Sequence, residues 1–145
     1  MDQELTLSLL QDRNTKQAYG TLLELERISE ISDELYPCTA RFADMVGSDR
    51  YAVRVRGFRL FCKQARWDTE GVIDQHMDAA LAILNDEKPT AVRQALAALG
   101  DAAPYKRELW DMIRDRVRNM DCSRYPDTMR GLIAKDIQTL LDLMK

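Results

Sequence analysis

DEKPTAVRQALAALG, residues 86–100, decides the fold. Pro89 suits the first turn of a helix, where its missing N–H would have no intrahelical partner. Val92, Ala95, Leu96 and Leu99 follow at spacings of three and four, so they share one face of that helix. Asp86 stands just before it in a polar turn, and Gly100 is the expected stop.

Outward from this segment the same grammar repeats. Upstream, Ile73, Met77, Ala80, Leu81 and Leu84 predict a helix that begins at Asp68 or Thr69, with Asn85 and Asp86 interrupting it. A helix is expected from about Tyr51 to Ala65. Asp33 is placed to cap another that carries Tyr36, Ala40, Ala43 and Val46 and ends at Gly47 and Ser48. Leu22, Leu25 and Ile28 define an earlier face, and Leu5, Leu7, Leu9 and Leu10 open the chain. Downstream, Pro104 leads a segment through Leu109, Ile113 and Val117. Pro126 leads the last, with Met129, Ile133, Ile137, Leu140, Leu141 and Met144. The alternation in YAVRVRGF allows a short strand locally, but the register and its helical neighbours favour a helix, and an exposed Arg54 suits either.

About eight helices in four pairs emerge, and they share a register. Asp12, Asp49 and Asp86 are each 37 residues apart. The same shift aligns Ala18, Val55 and Val92, and also Leu25, Cys62 and Leu99. A further shift takes Pro89 to Pro126, Arg93 to Arg130 and Leu96 to Ile133. Gly20, Gly57 and Gly131 occupy one slot, with Gln94 in the third copy. One helix pair cannot bury its apolar face alone, and stacking against neighbours supplies the missing surface.

Residues 86–100 resemble the turn and second helix of a HEAT unit, and residues 49–61, DRYAVRVRGFRLF, are a looser copy. The chain therefore resembles the HEAT and armadillo-like helical repeats over nearly its whole length. The resemblance implies an all-α fold, a right-handed α-α superhelix of about four HEAT-like helix pairs, forming a single domain over 1–145. Tyr19 stands where the repeat has arginine, and Asp136 where it has Leu99, so the terminal units are atypical.

Composition agrees. The chain has 145 residues, 46% of them hydrophobic and 31% charged, with only 6 glycines and 4 prolines, which disfavours both general disorder and a turn-rich all-β fold. Its length suits one domain with a useful core. The net charge of −3 argues against a general nucleic-acid binder. The charge is uneven: residues 1–49 hold 4 basic and 10 acidic groups, a net of −6, and residues 50–145 hold 17 and 14, a net of +3. The acidic start MDQELTLSLLQDR lacks the pattern of a secretory signal, and no stretch has the length of a membrane span. A cytoplasmic location follows as the default.

No Walker A, Rossmann glycine or HExxH pattern occurs. Cys38, Cys62 and Cys122 are widely spaced and His76 is the only histidine, so neither a closed zinc site nor a nucleophile with a local base is marked. No cofactor or metal is expected, and no catalytic residue is assigned. The candidate binding residues are basic and aromatic. Arg56, Arg93 and Arg130 hold equivalent repeat positions, and Arg59, Lys63 and Arg66 extend a basic stripe along one helix. A guanidinium presents a planar fork to carboxylate or phosphate. These residues form either an anion-binding strip or an ion-pair ladder between repeats that uses Asp49, Asp86 or Glu87. The second basic region, from Lys106 to Arg118, is interrupted by Glu108, Asp111 and Asp115. Trp67 and Trp110 are either core residues or interface anchors.

The expected function is a non-enzymatic scaffold that binds a macromolecule, an acidic protein segment first. The alternative is a duplex DNA binder or an alkylated-base DNA glycosylase. Some bacterial DNA-alkylation-repair proteins resemble such repeats, and Trp67, Asp68 and Trp110 invite that comparison without completing a motif.

Overall fold

The computed structural model describes residues 2–145. Among these residues all regular structure is helical. The α-helices are α1 (Gln3–Leu10), α2 (Thr15–Ile31), α3 (Thr39–Met45), α4 (Tyr51–Lys63), α5 (Val72–Ala80), α6 (Pro89–Ala102), α7 (Trp110–Arg118) and α8 (Asp127–Leu143), with short 3-10 turns in the connections from α2 to α3 and from α4 through α7. Residues 51–58, whose alternation allowed a strand, lie in α4.

Local chemistry starts several of these helices. The Asp2 carboxylate accepts the Leu5 N–H at 3.1 Å, and the Asn14 side chain accepts the Gln17 N–H at 3.2 Å. Such caps contribute about 1 kcal/mol each. Asp68 caps α5 from a distance, accepting the N–H groups of Val72 and Ile73 at 3.0 Å each. Gly71, just before α5, has φ of 74°, a left-handed conformation that costs glycine little.

Several expected boundaries differ, since α5 starts at Val72 rather than at Asp68 or Thr69, and α7 starts at Trp110 after two 3-10 turns rather than near Pro104. Gly100 lies inside α6, which runs on to Ala102 because that residue is fully buried and the chain turns only at Pro104. Asp33 does not cap a helix with its side chain. Its carbonyl accepts the Tyr36 N–H, a 3-10 turn through Pro37 follows, and α3 starts at Thr39.

Helices α2, α4, α6 and α8 pack side by side in that order. On the other side α1 packs on α2, α3 packs on α4 and α5, and α7 packs on the 3-10 turn Leu81–Asn85. The core runs continuously from Leu7 to Met144. Phe42, Phe58 and Phe61 are its largest fully buried side chains, each contributing roughly 1.5–3 kcal/mol by transfer from water. Because α4 is covered on nearly every side, even Arg56 and Lys63 are sheltered. Gly57 is where α4 meets α3 most closely: a Cβ there would lie 2.6 Å from the Phe42 carbonyl oxygen, and closer still to the Met45 Cβ.

The 37-residue register has a counterpart in hydrogen bonds. Asp12 accepts the Asn14 N–H at 2.8 Å, and Asp86 accepts the Lys88 N–H at 3.0 Å. Asp49 does not share this turn. Ser48 takes the role instead, accepting the Arg50 N–H at 3.2 Å. Arg50 donates to the Gln11 and Asp12 carbonyls, and Arg124 donates to those of Asn85 and Asp86. The two arginines are 74 residues apart, twice the sequence period.

Candidate functional site

The outer face of α6 carries small and polar residues. Thr90 and Ala97 are exposed, and Gln94 and Gly100 are half-buried, whereas Val92, Ala95, Leu96 and Leu99 face the core. Flanked by the longer side chains of α4 and α8, this face becomes the floor of a groove. Three recesses meet at Ala97. One, of about 310 Å³, lies toward α4 between Arg59, Lys63, Gln94 and Asp101. The others, of about 150 and 350 Å³, lie toward α8, against Thr139 and Leu143 and against Met129 and Asp136.

The basic residues of α4 enter this groove already paired. Arg59 donates to both Glu26 oxygens at 2.7 and 3.1 Å and to the Gln94 carbonyl oxygen at 3.0 Å. Burial works against its charge, but the Glu26 carboxylate outweighs burial and raises its pKa. Its guanidinium lies 5.9 Å from the Tyr19 ring centre. Lys63 bridges Glu30 at 2.9 Å and Asp101 at 3.3 Å. Burial again opposes the charge, and the two carboxylates prevail and raise the pKa of the ammonium. The lysine side chain is only 10% exposed, against 51% for Glu30 and 46% for Asp101. The carboxylates are therefore the charges that face outward.

Arg56, Arg93 and Arg130 do not form one exposed row. Arg56 is buried and donates to the Leu10 carbonyl at 2.8 Å, holding the end of α1. Burial and the nearby Arg50 lower its pKa. Arg93 pairs with Asp136 across α6 and α8 at 2.7 Å, and Arg130 pairs with Asp127 within α8. Asp86 does serve a ladder between helices, but its partner is Arg54, at 2.7 Å. An exposed Arg54 suited both the strand and the helix reading, but its side chain is only 17% accessible.

Both tryptophans are half-buried and anchored outside the groove. The Trp67 indole N–H donates to the Ser29 carbonyl at 2.6 Å. That of Trp110 donates to the Ala103 carbonyl at 2.8 Å, with Arg107 and Arg114 stacked on its ring. Asp68 is occupied as well. Its fully buried carboxylate accepts from Lys106 at 2.8 Å and from the Tyr36 hydroxyl at 2.6 Å. Burial pushes its pKa up, but Lys106, Tyr36 and the two helix N–H groups together bring it down to about 2. Lys106 also reaches Asp74 at 2.5 Å, so the cluster ties three successive parts of the chain.

The groove residues that the sequence did not mark for binding are Glu26, Ala97, Asp101, Asp136 and Leu143, with Glu30 beside them on Lys63. One signal was present. Glu26 and Glu30 are four apart on α2, as Arg59 and Lys63 are on α4, and both pairs differ by 33 residues. Matched i, i+4 charges on adjacent helices point to cross-helix pairing. No comparable signal marks Ala97, whose role comes from what flanks it.

Among the described residues no group of three or more His, Cys, Asp or Glu side chains converges on one point as metal ligands do. Cys38 and Cys62 are buried and Cys122 is half-buried; burial raises the pKa of all three thiols. No helix among these residues is long and apolar enough to cross a membrane. Comparisons with models of protein families, with curated proteins and with solved structures find no match to this chain.

Proposed function

We propose that the chain is a HEAT-like α-α superhelical scaffold, without bond chemistry of its own, that binds a segment of another protein along the groove centred on Ala97. The observation that carries this reading is the meeting of three recesses on the small outer face of α6, in the row α2, α4, α6, α8. In repeat proteins such a row presents a broad surface held rigid by neighbour contacts. A shaped recess that takes an anchoring side chain is where binding energy concentrates.

An acidic segment, the partner first suggested by Arg59, Lys63 and Arg93, would have to displace Glu26, Glu30, Asp101 or Asp136 from them. A DNA backbone would meet the same carboxylates. For a glycosylase, Trp67, Trp110 and Asp68 are engaged in the hydrogen bonds that hold helices together.

The test is affinity capture at moderate salt with wild type and Ala97→Arg, followed by identification of what is bound. The substitution places a long side chain over the exposed floor and leaves the core intact. A protein recovered by wild type and lost with Ala97→Arg supports the reading. Recovery of nucleic acid alone, or of the same proteins by both, refutes it.

A further inference from the structure

We infer that the segment this groove accepts is basic and apolar: an aliphatic side chain seated against Ala97, Gly100 and Leu143, flanked by lysine or arginine that meets Glu30 and Asp101. The inference rests on the scaffold reading and specifies the partner's chemistry.

The apolar half comes from the α6–α8 side. Leu96, Ala97, Gly100, Leu140 and Leu143 line the recess there, and Leu143 is 44% exposed with no partner helix over it. The recess is small, about 150 Å³, which suits a single aliphatic side chain. The polar atoms on its rim are those of Asp136 and Thr139, and Asp136 is already held by Arg93.

The charge half comes from the α4–α6 side. Two carboxylates there share one ammonium, Arg59 is matched by Glu26, and Arg66 lies near enough to Glu30 to help lower its pKa, so the rim is balanced in formal charge and exposure decides which sign faces outward. Exposure sharpens the sign. The Arg59 and Lys63 side chains are 20% and 10% exposed, while Glu30 and Asp101 are about half exposed. An approaching cation meets free carboxylate lone pairs. An approaching carboxylate meets other carboxylates before it reaches Lys63. Complementarity of this kind sets which partners are tolerated, because like charges brought together are costly.

The experiment is selection of a displayed random dodecapeptide library against the intact chain, with the enriched peptides resynthesised and their binding measured by fluorescence anisotropy. The expected consensus pairs a Leu, Ile or Met with at least one Lys or Arg within a few residues. Ala97→Arg should abolish binding. The double variant Glu30→Gln with Asp101→Asn should weaken it about 5- to 30-fold and remove the preference for basic residues, as expected for two lost charge contacts. That variant leaves Lys63 unpaired, so the triple variant that adds Lys63→Met keeps the test sound if the double variant unfolds; it should show the same loss of preference. An acidic consensus, a basic consensus indifferent to Glu30 and Asp101, or no peptide enriched over Ala97→Arg would each overturn the inference. If affinity capture nevertheless yields a protein that depends on Ala97, only the basic–apolar assignment has failed. If capture also fails, the scaffold reading fails with it.

Discussion

Gly57→Ala should be strongly destabilising, although it replaces the poorer helix former inside a helix. The added Cβ would lie 2.6 Å from the Phe42 carbonyl oxygen, where ordinary contact begins at 3.4 Å, so α3 must retreat by about 0.8 Å. The obstacle is backbone, with the Met45 Cβ beside it, so no rotamer change relieves it. Retreat would also loosen Phe42 and Phe58, both 0% exposed. Overpacking costs typically about 1–3 kcal/mol. The gain in helix propensity returns about 1 kcal/mol. With backbone as the obstacle the overpacking cost lies at the top of its range, about 3 kcal/mol, so a net loss of about 2 kcal/mol follows, which lowers Tm by roughly 6–8 °C for a chain of this length. Gly20 and Gly131 fill the same slot of the repeat, but a Cβ at either meets nothing within 4 Å. Gly20→Ala and Gly131→Ala should therefore stabilise by about 0.5–1 kcal/mol each. Thermal and urea unfolding followed by circular dichroism reads all three. A Gly57→Ala protein as stable as wild type would refute the placement of α3 against α4, and equal effects at all three glycines would refute the argument from close approach.

Lys106→Met should cost about 3–5 kcal/mol in urea unfolding at pH 7, because it leaves the buried Asp68 carboxylate without its cation. The same carboxylate predicts an acid limb. Its folded pKa of about 2 lies below the usual 3.8, so its contribution of about 2 kcal/mol is present above pH 4 and fades as pH falls toward 2. Asp68→Asn should flatten that limb in a pH series of melts, and an unchanged limb would count against the cluster. Cys122 should react first with a thiol reagent under native conditions, while Cys38 and Cys62 wait for denaturant; rapid reaction of all three would contradict their burial. Arg56→Met should leave any Ala97-dependent binding unchanged while reducing amide-exchange protection in α1, since Arg56 holds the Leu10 carbonyl. Loss of binding with α1 still protected would restore Arg56 to the binding surface.

Much of the fold was legible because its signals are local. Pro89 opens α6, the apolar spacing of residues 92–99 gives its buried face, and Asp12 and Asp86 mark turns that the structure repeats. Boundaries were legible only where a local cap decides them. Gly100 misled because burial of Ala102 carries the helix past it. Asp33 misled because Pro37 and a 3-10 turn intervene before α3. The Arg56, Arg93 and Arg130 alignment allowed a strip beside an ion-pair ladder because equal sequence positions suggest equal exposure. That equality fails in this chain: Arg56 sits on the central helix, covered from several sides, and Arg130 on the last, open to water.

By itself the sequence determined the helical class, the approximate number of helices and the 37-residue spacing, because periodicity and turn chemistry act over a few residues. Only the tertiary structure decided which charges face outward. Lys63 is sheltered between Glu30 and Asp101, which come from helices 33 residues before it and 38 after it. Asp68 is sealed by Tyr36 and Lys106 from 32 residues before and 38 after. The sign of the charge at the groove surface depends on exposure, and exposure is set by neighbours distant in sequence that packing brings to within hydrogen-bond reach.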